Sequence, residues 1–327
     1  LRQKPQRSRC EVIEQVRLGK TELQVSKLSF GAAPLGGAYG DFTQKDADNA
    51  VRTALDLGIT TFDTSPYYGK GRSEEVLGLA LKGISRETFT VITKCGRYDH
   101  ASFDFSPDRV RLSVDESLSR LKLDHIDLLL CHDIEFDDPE TVIFETLPAL
   151  RDVVKAGKVR ALGVSGLPLG IFRTVLDETH LDAILSYSHA CLNDDSLTEM
   201  MPYFNEKNVG VIAASPLSMG LLTHAGPPDW HPASAELRAA VSRAIYYCEE
   251  RNLDLSDIAI SWSYRLKGPA SLMVGMKDPA TVQANVKAAQ REYDPDTLHK
   301  IRSFFDDVQR LSWPSGRWGD PEPARLS

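Results

Sequence analysis

Three of the short apolar runs in this chain end on residues that move protons. Asp63 closes ITTFD (59–63), Lys94 closes FTVITK (89–94) and His132 closes HIDLLLCH (125–132). Tyr68 follows Asp63 by five residues, in the stretch DTSPYYGKGRSEEVLG. A phenol with its ordinary pKa near 10 is ionised in about one molecule per thousand at neutral pH. A neighbouring ammonium lowers that pKa by roughly 1–3 units. Lys94 is the expected cation, and Asp63 its partner, which limits the cost of a half-buried charge. His132 is expected to orient a substrate oxygen and to share in the proton transfer. Together they predict an acid/base centre that gives a proton to a carbonyl oxygen or takes one from an alcohol. Such a centre needs a hydride partner, because no nucleophile accompanies it. A metal site on Asp63 and His132 falls short of ligands. The strands carry no His-x-His and no second closing His, and His189 and Cys191 lack partners.

Taken singly, an Asp at a strand end is a turn former, a Lys reaches for solvent, and a His is a hydrogen-bonded core residue. The chemistry depends on the four meeting, so the elements around them matter. Eight β-branched and apolar runs recur: 27–31, 59–63, 89–94, 125–132, 159–165, 181–187, 209–215 and 270–275. Helix-period segments separate them at 45–57, 73–81, 107–121, 139–156, 169–178, 197–208 and 234–251, with one more at 257–267. Alternation of strand and helix implies right-handed crossovers and a parallel sheet covered by helices. Eight such units in roughly 250 residues predict an α/β fold, a closed (β/α)8 barrel. In that architecture the C-terminal strand ends share one rim, which would gather Asp63, Lys94, His132 and the loop of Tyr68.

Ser73 is a candidate N-cap, with Glu74 and Glu75 following it. Ser106-Pro107 and Asp278-Pro279 also read as helix starts, and Gly58 and Gly157 as helix stops. Residues 11–26 read as a β-hairpin around Gly19-Lys20, a plug for one end of the barrel. The expected organisation is a basic tail over 1–10, a single barrel domain over 11–312 and a C-terminal tail over 313–327. The first nine residues, LRQKPQRSR, are expected to be a disordered tail or the remnant of a transit segment.

The composition is that of a globular chain, 42% hydrophobic and 26% charged, with a net charge of −8. The acidic balance argues against nucleic acid as a partner, and the lack of a long apolar run argues against a membrane span. Five scattered cysteines without a Cys-x-x-Cys predict a reducing compartment, the cytoplasm. A monomer or weak homodimer acting on a small molecule is expected.

The stretch DTSPYYGKGRSEEVLG, followed in order by ITK, LLLCH, GVSG, AASPLSMGLL and VGMKDPATVQAN, closely resembles the aldo-keto reductase superfamily from about residue 11 to 290. The resemblance implies a (β/α)8 barrel, a nicotinamide dinucleotide bound without a Rossmann domain, and a catalytic tetrad at Asp63, Tyr68, Lys94 and His132. DTSPYYG, the LLLCHDIEF run and the WPSG tail resemble the plant sugar-oxidising members. They imply oxidation of L-galactose at C1 to its lactone, a step towards ascorbate. The alternatives are a broad NADP-dependent aldehyde and carbonyl reductase of the same fold, or a dinucleotide-binding regulatory subunit.

The same resemblance assigns the cofactor end. Ser215, Leu217, Ser218 and Gly220 match a pyrophosphate-holding loop, and Ser165 matches a residue that bonds the carboxamide. Gly166 stands where the family usually has Asn, and Ala214 where an aromatic often stacks on nicotinamide. Tyr187 and His189 are candidates for the missing ring. Gly275 and Thr281 fall where NADP-using members tend to be basic, and Asn285 could serve adenine. Lys277 is the one basic residue of GMKDPATVQAN, beside the acidic Asp278. A phosphate carrying nearly two charges needs more cations than that, so NAD is the expected cofactor. At the sugar end, Asp133 offers an acceptor for hydroxyls, whereas Glu135 reads as a solvated acidic loop residue. Tyr39, Phe42 and Tyr67 offer ring faces for a sugar.

Overall fold

The computed structural model describes residues 12–317. The tail expected over 1–10, and the end of the tail beyond 317, lie outside the described residues.

Two short strands, β1 (Gln15–Arg17) and β2 (Gln24–Ser26), pair antiparallel as a hairpin. The barrel follows as β3 (Leu28–Gly31), β4 (Thr61–Asp63), β5 (Thr90–Cys95), β8 (Ile126–Cys131), β9 (Val159–Gly166), β10 (Ala183–Tyr187), β11 (Gly210–Ala214) and β12 (Ser271–Gly275). Between β5 and β8 sits a small antiparallel ribbon, β6 (Arg97–Asp99) and β7 (Ser102–Phe103). Each barrel strand pairs in parallel with its neighbour in sequence, and β12 closes onto β3. The predicted runs agree with these strands to within about two residues at each end.

The helices that cover the barrel are α1 (Gln44–Asp56), α2 (Arg72–Ala80), α3 (Pro107–Leu121), α4 (Pro139–Thr141), α5 (Leu147–Lys155), α6 (Leu169–Glu178), α7 (Leu197–Lys207), α8 (Ala235–Glu249), α9 (Leu255–Arg265), α10 (Pro279–Gln290) and α11 (Pro295–Ser303). A π-turn over Val142–Thr146 joins α4 to α5, so the helix expected over 139–156 runs through with a local widening.

Alternation along the strands sorts the apolar side chains into two layers. Phe30, Phe62, Val91, Leu129, Val164 and Ile184 point outward to the helices. Ile92, Leu128, Leu130, Leu185 and Ile212 point inward, where Leu18, Leu23 and Val25 of the hairpin join them. The hairpin therefore fills the barrel interior from the N-terminal end of the strands. Its turn lies against β11 so closely that a Cβ on Gly19, at φ 55°, would stand 2.9 Å from the Gly210 Cα. That combination of positive φ and close approach suits glycine.

Helix starts follow the sequence in part. Asp278 caps α10 in a reciprocal capping box with Thr281. Gly58 and Gly157 adopt left-handed φ of 83° and 76° just past their helices. Ser73 is not the cap of α2; Gly71 is, at φ 91°. The Ser73 hydroxyl instead donates to Ala32 O at 2.7 Å and meets Thr64 Oγ1 at 2.8 Å, tying α2 to the ends of β3 and β4. Ser106 precedes Pro107 but makes no side-chain cap bond. Among the described residues no helix is long and apolar enough to cross a membrane.

Candidate active site

The parallel barrel brings Asp63, Lys94 and His132 to one rim, and the turn after β4 brings Tyr68 beside them. Lys94 is 1% exposed, and its ammonium donates to both oxygens of Asp63 at 2.7 Å and to Thr64 O at 2.8 Å. Lys94 Nζ lies 4.9 Å from the Tyr68 ring centroid. The rings of Tyr68 and His132 meet edge to face at 5.9 Å. His132 Nδ1 is 3.1 Å from Ser65 Oγ, and its backbone N–H donates to Cys95 O at 2.8 Å. Ser65 therefore holds the ring at Nδ1, and the β5 backbone holds the chain that carries it.

Electrostatics differ from the expectation on one point. The Tyr68 phenol is not acidified here: burial raises its pKa well above the ordinary value, and the charges of Asp63 and Asp133 push it further. The physical reason is first the loss of water around the phenol, and the pairing of Lys94 then removes the free cation that was expected to oppose it. Both Asp63 oxygens bind the ammonium, so Tyr68 sees an ion pair and not a free cation. His132 is driven the other way. Burial, then Lys94 and Arg97, hold its pKa well below 6.5, which leaves a neutral imidazole at neutral pH. A buried phenol beside a neutral imidazole can present a proton to an oxygen without charging the site.

One group here escaped sequence reasoning. Arg97, on β6, forms an ion pair with Asp133, and its guanidinium carbon lies 4.0 Å from the centroid of Tyr67. It carries no motif, and the ribbon that holds it is too short for a periodic signal. Asp133 follows His132 in a left-handed conformation, φ 54°. That turn brings Asp133 Oδ2 to 3.6 Å from His132 Nε2. The Asp133 N–H donates to Ser165 Oγ at 3.2 Å, so Ser165 supports this turn from β9. Burial raises the Asp133 carboxyl, and Arg97 opposes the rise.

Glu135 is not the solvated residue the sequence suggested. It is fully buried, and its pKa is pushed up to about 8 by burial first and then by Asp133. Oε1 accepts from Leu167 N at 3.1 Å and from Ser315 Oγ at 2.9 Å. Its carbonyl accepts from Arg317 N at 2.6 Å. A Cβ on Gly166 would stand 2.7 Å from Glu135 Oε2, so Glu135 fills the space that an Asn at 166 would claim. The C-terminal segment therefore docks onto the loop after β8. Trp313 completes the strap by meeting His231 edge to face at 5.0 Å.

The loop after β11 turns repeatedly through left-handed backbone. Ser215, Ser218, Met219 and Gly220 take positive φ of 57°, 49°, 53° and 95°. Within these turns the Ser218 N–H donates to Ser215 O at 2.8 Å and the Gly220 N–H to Leu217 O at 3.1 Å. The Ser218 hydroxyl is buried without a partner, and its carbonyl accepts from His231 Nε2 at 2.9 Å. Leu217 packs beneath, bridging the barrel core and the cluster around α8 and α9. Of the two rings considered for nicotinamide, His189 is buried with Nδ1 2.8 Å from Asp194. Tyr187 is half-buried at the mouth, in register with Ala214.

At the outer end, Lys277 Nζ donates to Tyr39 O at 2.8 Å and to Asp41 O at 3.3 Å. Thr281 is occupied by its capping box, and Asn285 Nδ2 donates to Gly275 O at 3.2 Å. Tyr39 is exposed, Phe42 lies under the Arg72 guanidinium at 5.1 Å, and Tyr67 meets His132 edge to face at 5.8 Å. Tyr67 is thus at the tetrad, whereas Tyr39 and Phe42 stand on the loop above. Among the described residues no three His, Cys, Asp or Glu side chains group to hold a metal ion.

Comparison with known proteins agrees with this geometry. Residues 27–306 match the aldo/keto reductase family. The L-galactose dehydrogenase of Arabidopsis thaliana is 46% identical over 313 residues, covering 93% of this chain and 98% of that protein. A D-arabinose 1-dehydrogenase of Saccharomyces cerevisiae is 36% identical, covering 76% and 79%. Among solved structures, the holo form of an aldo-keto reductase from Bacillus halodurans superposes with a TM-score of 0.71 at 24% identity, covering 89% of this chain and 96% of that one. That last likeness speaks to the fold alone. Taken with the closed barrel and the residues at its rim, these matches place the chain in the aldo/keto reductase family, as an oxidoreductase that works with a nicotinamide dinucleotide.

Proposed function

We propose that this protein oxidises L-galactose at C1 to the lactone with NAD, using Tyr68 as the acid/base. The observation that carries the reading is the meeting of Tyr68, His132 and the Lys94–Asp63 pair beside a second, polar ion pair at the same rim. The first group supports proton exchange at an oxygen; the second suits a substrate rich in hydroxyls. The similarity to two sugar dehydrogenases supports the same choice of substrate.

The dinucleotide supplies the hydride acceptor. The left-handed loop over Ser215–Gly220 and the unpartnered Ser218 hydroxyl fit its pyrophosphate, with Leu217 beneath and Ser165 and Tyr187 towards the nicotinamide end. His132, neutral, donates from Nε2 to the substrate oxygen and holds it against Tyr68. Tyr68 takes the anomeric hydroxyl proton in oxidation and returns it in reduction. Lys94 and Asp63 fix the floor of the site beneath the phenol.

The choice of NAD over NADP rests on the adenosine end. Lys277 is held by two backbone carbonyls, Gly275 offers no side chain, and Thr281 is tied to Asp278. A 2′-phosphate would have to win Lys277 away from the loop that carries Tyr39. Steady-state kinetics with L-galactose, L-fucose and D-arabinose against NAD and NADP test the reading. The expected outcome is the highest kcat/KM with L-galactose and NAD, with NADP at least tenfold worse. Equal use of NADP refutes the cofactor assignment, and no oxidation of any of the three sugars refutes the activity.

A further inference from the structure

Proton exchange at one oxygen does not require the Arg97–Asp133 pair, yet the fold goes to some length to hold it. The Arg97 guanidinium lies against three rings, at 4.0 Å from Tyr67, 5.2 Å from Phe103 and 5.4 Å from Phe136. Phe103 and Phe136 stack on one another at 4.4 Å with an interplanar angle of 8°. Arg97 follows Gly96, whose φ of 95° turns the chain off the barrel wall. Asp133 in turn takes a left-handed conformation that few residues besides glycine and Asn or Asp adopt. Two uncommon backbone conformations thus meet at one ion pair.

Burying such a pair is unfavourable unless its remaining donors and acceptors are used. Arg97 Nε is buried without a partner. Asp133 Oδ2, at 3.6 Å from His132 Nε2, stands beside the atom that would hold the reacting oxygen. An acceptor at that offset addresses an oxygen on the carbon next to the reacting one. A simple aldehyde or alcohol has no such oxygen and would leave the desolvated carboxylate with no hydroxyl to add to its bond from Arg97. A sugar ring has a hydroxyl there that can donate to Asp133 and a second lone pair that can accept from Arg97.

We infer that Arg97 is a specificity-determining residue: it presents Asp133 as the acceptor for the hydroxyl adjacent to the reacting carbon, and so selects polyhydroxylated, ring-form substrates. The inference rests on the proposed sugar oxidation for the identity of the reacting carbon. Removing a hydroxyl that a charged buried group binds costs about 10- to 100-fold in affinity.

The test measures Kd for L-galactose and for 2-deoxy-L-galactose by ligand-observed NMR, with NADH present as the non-reacting cofactor form, on wild type, Arg97→Met and Arg97→Lys. Wild type is expected to bind the full sugar at least tenfold more tightly than the deoxy sugar. In Arg97→Met the two affinities should converge on the deoxy value, while the Kd for NAD stays that of wild type. Arg97→Lys keeps the charge without the planar fork, and should keep a reduced penalty. If Arg97→Met fails to fold, Arg97→Lys decides: a penalty reduced at least threefold supports the inference. A penalty unchanged in the variants, or no penalty in wild type, overturns it. Because binding is measured apart from turnover, a wild type that makes no lactone refutes the sugar oxidation and leaves the Kd contrast to judge Arg97.

Discussion

In the proposed role, Tyr68 has to lose its proton before it can take one from a sugar, and its surroundings resist that loss. Burial, Asp63 and Asp133 all raise the phenol, and Arg97 alone among the named causes opposes them. In the oxidative direction the active form is the phenolate, so the sign is fixed: kcat/KM for sugar oxidation should climb with pH from 7 to 9, by roughly tenfold per unit. Reduction uses the phenol and should stay flat over the same range. His132 is held neutral by a depressed pKa and adds no inflection above its ordinary value. An oxidation profile already level at pH 7 would contradict this. Asp63, Lys94 and His132 were legible in the sequence because each closes an apolar run of strand length, and Tyr68 because it follows Asp63 by five residues. The tuning of Tyr68 was not, because it depends first on how deeply the phenol is buried and then on the carboxylates around it, and that is a matter of packing. Arg97 was silent for another reason. It sits just past a strand, after a glycine, where no period marks it.

At the scale of elements, the strap formed by residues 313–317 was expected to be the start of a C-terminal tail, and it instead grips the loop after β8. Ser315 and Arg317 bond Glu135, and Gly316 between them takes φ 71° in a space that a Cβ could not share with the Glu135 carbonyl. Nothing local in WPSG signals this, because the partner lies 180 residues away. Glu135 is two residues from Asp133, so the strap braces the turn that aims the carboxylate. Replacing Gly316 with Val should detach the strap and raise KM for the sugar by roughly 3- to 10-fold, the value of one net hydrogen bond. The KM for NAD should not move. An unchanged sugar KM, with Trp313 fluorescence reporting a detached strap, would show that the brace does not reach the site. The barrel strands and most helices were legible, since alternation and period survive in the sequence. The β6–β7 ribbon and α11 were missed: the strands of the first are five residues in all, and the second follows the charged connection REYD (291–294).

Across the whole molecule, the barrel converts distances along the chain into contacts. Asp63 and Lys94 are 31 residues apart and meet at 2.7 Å because β4 and β5 are neighbours in a parallel sheet. His132 reaches the same rim because β8 pairs with β5. The hairpin fills the opposite end and leaves the chemistry to one mouth. Eight alternating units were enough to predict that closure, and the closure was enough to predict the meeting. The central claim is that this meeting makes Tyr68 the group through which the proton passes. The most direct measurement is single-turnover sugar oxidation by Tyr68→Phe beside its Kd for NAD. A fall in rate of about 10²- to 10⁴-fold with NAD binding intact is predicted, and turnover within tenfold of wild type would contradict the account.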